Sequence, residues 1–240
     1  IKLDAIDSTN SFLKELAQNS SLENYTIVTT KEQKNGRGQM GTQWVSEPNK
    51  NLLCSVYVAF DKLPIANKVF INYAVSLAVI YTLEKYKLPR LAIKWPNDIL
   101  SSNQKICGVL VENVMQGIEI KSSIIGIGIN VNQEFFPSHL KNVTSIKNEV
   151  KQDVDLDELL HEFVGELKRM IAFITKSTPE VLKENYLKLL YKKNIPTMFR
   201  NSKDVLFMGK IVGVSLQGKL QIEFEDESIQ EFGIKEVSIA

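Results

Sequence analysis

The sequence predicts an α+β fold: a mixed, largely antiparallel sheet flanked by helices, followed by a small C-terminal β-barrel module. Three observations carry this. Apolar runs of period two return on each other across short turns, as Lys105–Val114 and Ile118–Val131 do around Gln116-Gly117. Two long stretches, Leu63 to about Lys87 and Asp155 to Ile171, space their apolar residues at helical intervals. After Lys192-Lys193-Asn194 the helical period gives way to short strands separated by turn residues. The 240 residues suffice for one large domain with a small appendage. The expected division is 1–192 and 193–240.

Composition narrows the function. With 44% hydrophobic and 24% charged residues the chain reads as an ordinary globular protein. A net charge of +1 gives no bulk attraction to DNA or to membranes, so neither is an expected partner. Cys54 and Cys107 lie in apolar runs and read as buried thiols in a reducing compartment. His139 and His161 have no Cys or carboxylate cluster at ligand spacing, which argues against a zinc site. Tyr73–Leu83, the most apolar helical stretch, is too short to span a bilayer. The start shows no signal-peptide pattern, and the cytoplasm is the expected location.

In chain order, Ile1–Ile6 reads as a strand. Asp7-Ser8-Thr9-Asn10 then precedes Phe12, Leu13 and Leu16 at helical spacing. One short polar residue caps a helix; three leave spare donors and acceptors at its positive end, where a polar ligand could bind. Tyr25–Glu32 is a strand that delivers the chain to Gln33–Trp44, a loop holding Gly36, Arg37, Gly38 and Gly41. So many glycines predict no packed element. Alone they describe a flexible surface turn, or bare backbone N–H groups able to wrap an anion. Asn51–Phe60 is a strand, and Leu63-Pro64 opens a helix with Val69, Tyr73, Ser76, Leu77, Ile80 and Leu83 as its buried stripe. Leu91–Trp95 is a strand cut by Pro96, and Asn97-Asp98 begins a turn-rich connection through Asn103.

The return strand carries two faces. Ile125, Ile127, Ile129 and Val131 share one; Gly126, Gly128, Asn130 and Asn132 share the other. The glycine face suits either close packing against a helix or a flat floor for a planar ligand. Asp155 with Glu158 forms a capping-box pattern ahead of Leu159, Leu160, Phe163, Leu167, Met170 and Ile171. A second helix follows Thr178-Pro179 and ends near Tyr191. The terminal strands are Met198–Arg200, Val205–Leu216, Lys219–Glu225 and Ile229–Val237, with Gln217-Gly218 as a tight turn.

Five stretches in order, "DSTN", "EQKNGRGQMGTQW", "KWPND", "KICGVLVE" and "GIGINVN", together resemble the biotin–protein ligases (biotin–[acetyl-CoA-carboxylase] ligases) over essentially the whole chain. The resemblance is to the short form: with "DSTN" beginning at residue 7, no N-terminal DNA-binding domain is expected. It implies a class II aminoacyl-tRNA-synthetase-like fold and a single-function ligase. It implies that biotin and ATP, with Mg2+, give biotinyl-5′-AMP, which acylates a lysine of a biotin carboxyl carrier protein. It leaves a homodimer open. Carried over by motif, Ser8, Thr9, Asn10 and Gln33 would hold biotin. Gly36, Arg37 and Gly38 would wrap carboxylate and α-phosphate, and Arg37 and Lys105 would be catalytic. Gly108 would let the backbone approach biotin. Gln39, Trp44, Lys94, Asn97, Asp98 and Asn130 would line the nucleotide side, with Asp98 holding magnesium or fixing the loop; no metal ligand is assigned firmly.

That chemistry brings two anions together, so cationic side chains and N–H groups must neutralise both. One departure stands out. Where the family's loop often carries further arginines, this chain has Gln39 and Thr42 with Met40 between. Either the loop holds the adenylate less tightly, or lysines such as Lys34 and Lys94 compensate. Rival readings are a lipoate or octanoate protein ligase-type acyl transferase, which lacks "KWPND", and a non-catalytic nucleotide- or RNA-binding module. Against RNA, the terminal module carries Glu223, Glu225, Asp226, Glu227, Glu231 and Glu236.

Overall fold

The computed structural model describes residues 1–176 and 178–240. The first strand, β1 (Lys2–Ile6), leads through α1 (Thr9–Asn19) into β2 (Ile27–Gln33), and the two strands pair parallel. A parallel pair needs a crossover, and α1 is that crossover. The other strands, β3 (Leu52–Pro64), β4 (Ala92–Lys94), β5 (Asp98–Ser101), β6 (Gln104–Gln116) and β7 (Glu119–Ile129), add antiparallel in the order β1-β2-β3-β7-β6-β5-β4. The sheet is therefore mixed and largely antiparallel, as the alternation predicts.

Helices cover both faces. On one, α2 (Lys68–Glu84) and α4 (Leu156–Thr175) pack over the sheet, and α5 (Glu180–Lys188) packs against α2. Ile125, Ile127 and Ile129 of β7 and Leu77, Ile80 and Leu83 of α2 are all buried in this main core. On the other face, α1 packs Leu13 against Val28 and Ile124. One strand feeds both cores because alternate side chains point to opposite faces. The edge strand β4 is not left bare: Ile93 N–H donates to Leu189 O at 2.8 Å, and Tyr191 N–H donates to Ile93 O at 2.8 Å.

Several expectations need correction. Pro64 does not open a helix. It ends β3, paired with Glu119 after a register shift, and a single 3-10 turn at Ile65–Asn67 precedes α2. Pro is tolerated there at the end of a ladder. The segment after Pro96 is not all turn: Asp98–Ser101 forms β5, with Ser102 and Asn103 at positive φ making the hairpin turn into β6. The polar flanks hid this strand, whose Ile99 and Leu100 are buried. The apolar stretch in α2 is longer than Tyr73–Leu83. Ile65–Glu84 has the length and composition to cross a membrane, yet it is mostly buried in the core, so internal packing accounts for its character. The short helix α3 (Ile146–Val150) was not expected.

The terminal module is a five-stranded antiparallel sheet rather than a closed barrel. Its strands are β8 (Pro196–Asn201), β9 (Leu206–Val214), β10 (Leu220–Glu223), β11 (Ile229–Phe232) and β12 (Val237–Ile239), in the order β11-β10-β9-β8-β12. Ile229–Val237 is two strands, because Gly233 N–H donates to Glu236 Oε2 at 2.6 Å and Glu236 N–H to Gly233 O at 3.1 Å. That turn sends β12 to pair with β8 instead of continuing beside β10. Phe199, Ile211, Leu220 and Ile222 join the same apolar cluster as α2, and Trp95 Nε1 donates to Gly218 O at 3.0 Å.

Candidate functional site

A cavity of about 250 Å³ opens on the α1 side of the main sheet. Its floor is made by two strands: Gly108 of β6 and Gly128 of β7 are direct register partners. With no Cβ on either, the floor is flat enough for the Trp44 indole to lie against it. A Cβ at Gly128 would stand 2.5 Å from Trp44 Cε2, and one at Gly108 would stand 2.8 Å from Cζ3. Gly126, two residues back, faces α1 instead, where a Cβ would meet the Asn10 side chain. Close packing against a helix therefore holds at Gly126, while the flat floor at Gly108 and Gly128 takes the Trp44 indole.

The polar wall starts at the N-terminus of α1. Ser8 is the N-cap, accepting from Ser11 N–H at 3.4 Å. Thr9 and Asn10 are free of capping duty. Gln33 Oε1 accepts from Thr9 N–H at 2.9 Å and from its hydroxyl at 3.1 Å. Ser55 Oγ bonds Thr9 Oγ1 at 2.8 Å and Asn10 Oδ1 at 2.5 Å. Asn10 Nδ2 donates to Glu112 Oε2 at 3.0 Å. The network holds these side chains rigidly at the cavity's inner end.

The glycine loop is more ordered than its composition predicts. Gly38 N–H donates to Thr42 O at 2.7 Å and Trp44 N–H to Gly36 O at 2.9 Å, closing the loop on itself. Gly36 is buried beneath this closure, where a Cβ would collide with Trp44 O. Arg37 makes a forked contact with Glu112, Nη1 to Oε2 at 3.2 Å and Nη2 to Oε1 at 3.1 Å, and also donates to Ser11 Oγ at 3.2 Å. Burial pushes the Glu112 carboxyl up, but the bonds from Asn10 and Arg37 and the charges of Arg37 and Lys14 outweigh it and hold it below its ordinary value.

Across the cavity, Lys105 Nζ lies 2.7 Å from Asp98 Oδ1 and 5.4 Å from the Trp44 ring centroid. Trp44 Nε1 is buried with no partner among the described residues. An unpaired buried N–H costs about 1–3 kcal/mol, and a ligand acceptor would recover it. Cys54 lines the cavity with its thiol pushed up to about 12 by burial, so it is an inert part of the wall.

Of the residues singled out from sequence, Ser8, Thr9, Asn10, Gln33, Arg37, Gly38, Gln39, Trp44, Asn97, Asp98, Lys105 and Gly108 all border this one cavity. Gly36 supports it from behind. Asn97 is already engaged, its Nδ2 donating to Val109 O at 2.7 Å, and so ties the turn to β6. Lys94 and Lys34 are exposed and border none of it. Asn130 is buried, donates to Thr144 O at 3.0 Å, and borders a smaller neighbouring cavity of about 70 Å³ that shares Trp44 and Lys105. Sequence reasoning missed Ser55, Glu112 and Lys235. The alternation of β6 could have found Glu112, since it shares a face with Gly108 and Leu110. Lys235 comes from the other sheet, and no local pattern announces it.

Comparison with known proteins agrees with the geometry. Residues 3–130 match the model of the Biotin/lipoate A/B protein ligase family. The Bifunctional ligase/repressor BirA of Bacillus subtilis is 30% identical over 243 aligned positions, covering 98% of this chain and 70% of that one. The Biotin--[acetyl-CoA-carboxylase] ligase of Paracoccus denitrificans is 33% identical over 127 positions, 52% of this chain and 51% of that one. Among solved structures, the biotin protein ligase from Aquifex aeolicus in complex with biotin and ATP superposes with a TM-score of 0.81 at 26% identity, covering 100% of this chain and 97% of that one.

Proposed function

We infer the activity from one premise: the chain belongs to the biotin/lipoate A/B protein ligase family, and the solved structure it matches over its whole length is a biotin protein ligase. It is an ATP-dependent ligase that attaches biotin to a lysine of a biotin carboxyl carrier protein, forming a carbon–nitrogen bond. The observation that carries this is the convergence of all five motif stretches on one cavity, with the cations Arg37, Lys105 and Lys235 and an apolar floor.

In the first step a biotin carboxylate oxygen attacks the α-phosphorus of ATP, and pyrophosphate leaves with the P–O electron pair. In the second, the neutral ε-amine of the carrier lysine attacks the acyl carbon. AMP leaves and the amine sheds one proton. We assign Thr9, Asn10, Gln33 and Ser55 to the polar end of biotin, since they offer fixed donors and acceptors over a narrow space. Arg37 and Lys105 flank the reacting anions. Both carry carboxylate partners that keep them placed before substrate enters, so the developing charge meets preset groups. Trp44 provides the apolar wall, and its orphan N–H an anchoring donor.

Magnesium is expected to arrive on the nucleotide. Among the described residues no group of three or more metal-binding side chains exists, and Asp98, the cavity's carboxylate, is held by Lys105. That donor set suits an ion bound mainly by phosphates. The division at 192/193 belongs to the same proposal. Among the described residues no strand pairs across the two sheets, although their cores are continuous.

The test is incubation with biotin, MgATP and a carrier domain, read by mass spectrometry. The carrier lysine gains one biotinyl group, and lipoate in place of biotin gives none. An unmodified carrier, with an authentic ligase active alongside, would overturn the assignment.

A further inference from the structure

We propose that Glu112 is a positioning residue for ligand choice: acting through Asn10 and Ser55, it fixes the direction of hydrogen bonding at the inner end of the cavity, so that Thr9 Oγ1 is left as an acceptor and the site selects a ligand that brings an N–H. This deepens the biotin reading of the same cavity and rests on it, the ureido ring being the part of biotin with N–H groups to offer.

The direction follows from counting protons. The Glu112 carboxyl is held below its ordinary range and is ionised at neutral pH, so it accepts and cannot donate. Asn10 must turn Nδ2 toward it, and does so at 3.0 Å, with Leu110 O a second acceptor for the same nitrogen at 3.4 Å. Asn10 Oδ1 is thereby left facing Ser55 Oγ at 2.5 Å, and Ser55 is committed to donate to it. A hydroxyl has one proton, so Ser55 can only accept from Thr9, across 2.8 Å. The other neighbour of Thr9 Oγ1 is Gln33 Oε1 at 3.1 Å, which the Thr9 N–H holds in place at 2.9 Å, and it too is an acceptor. Thr9 Oγ1 thus has two groups to donate to and, among the described residues, none to receive from.

Thr9 is 4% exposed and borders the cavity, whereas Ser55 is fully buried behind it, so the missing donor comes from what the cavity holds. A ligand N–H satisfies this oxygen; a ligand oxygen in the same place sets lone pair against lone pair. Gly126 gives the Asn10 amide its room, since a Cβ there would stand 2.3 Å from Asn10 Oδ1.

Glu112→Gln reverses the chain of bonds. Lys14 and Arg37 Nη2 both face the Oε1 position, so the new amide keeps its oxygen there and puts its nitrogen on the side of Asn10. Asn10 then turns Oδ1 to that nitrogen and Nδ2 to Ser55, whose freed proton goes to Thr9. The acceptor is filled from within, and the demand for a ligand N–H disappears.

The experiment measures affinity by calorimetry on the full chain, without nucleotide, for biotin and for the two cyclic carbamates in which one ureido N–H or the other is replaced by oxygen. In the unaltered protein one carbamate is expected to bind at least about tenfold more weakly than biotin. In Glu112→Gln that ratio falls to within about threefold. Both ligands carry the same carboxylate, so any change at Arg37, or a general loosening of the site, cancels in the ratio. Asn10→Ala, which leaves the Glu112–Arg37 pair in place, lowers the ratio likewise and serves where Glu112→Gln does not fold. Adding Ser55→Ala to either variant restores it, because no inner hydroxyl remains to fill Thr9. An unchanged ratio in Glu112→Gln or in Asn10→Ala overturns the proposal, and so does a ratio that Ser55→Ala fails to restore. A ratio near one in unaltered protein that binds biotin and modifies the carrier overturns the proposal and leaves the ligase activity standing. A Glu112-dependent ratio in a protein that modifies no carrier lysine keeps the proposal and discards the ligase activity. Binding of neither ligand overturns both.

Discussion

Glu112 of β6 ties two other parts of the site together through one carboxylate: α1, by Asn10 and by Lys14 at 3.4 Å, and the glycine loop, by Arg37. Its folded-state pKa lies below the ordinary 4.5. A carboxyl of that kind contributes stability above the ordinary value and loses it as pH falls through the folded value. Glu112→Gln is therefore expected to be less stable than the unaltered protein at pH 7. The gap should narrow as pH falls below 4.5. Thermal unfolding of both proteins across that range checks it; a gap that stays constant would show that the charge is not what matters. Legibility at this scale divides by chemistry. Arg37 and Lys105 could be read because their motifs are local. Their carboxylate partners could be read only in part: Asp98 lay within a motif, whereas Glu112 needed the register of β6.

Among the elements, α4 shows how local signals succeed. Asp155 accepts from Asp157 N–H at 2.8 Å and Glu158 N–H at 2.9 Å, so the cap expected from sequence forms, with Glu158 serving through its backbone. Asp155→Ala is expected to cost about 1 kcal/mol, measurable by denaturant unfolding. β7 was legible for the same reason, since its isoleucines alternate without interruption. β5 was not: four residues between Pro96 and a Ser-Asn turn carry too little periodicity, and what makes them a strand is the pairing of Lys94 with Asp98 and of Ile99 with Cys107. The glycine loop erred in the opposite direction. Composition says mobile, but its carbonyls and amides satisfy each other across the Arg37–Gln43 bridge.

For the whole molecule, the sequence indicated two units and the structure shows one continuous apolar cluster running through both sheets. The open terminal sheet follows from this. A free-standing module of about fifty residues would gain by closing into a barrel, whereas one that buries Phe199 and Ile211 against the larger domain has another way to cover its apolar face. Ile211→Ala, deep in the smaller sheet, is expected to cost about 2–5 kcal/mol and to lower a single unfolding transition of the whole chain. Two resolved transitions in calorimetry, with only one shifted, would refute the coupling.

The placement of the two tryptophans gives the molecule an internal pair of optical reporters. Trp44 stands over the glycine floor with an unpartnered N–H, while Trp95 donates across to the terminal sheet. Emission from one senses what enters the cavity; emission from the other senses whether the two sheets remain in register with each other. Because no third indole exists, replacing either one by phenylalanine leaves a single reporter, so occupancy and docking can each be followed without an added label.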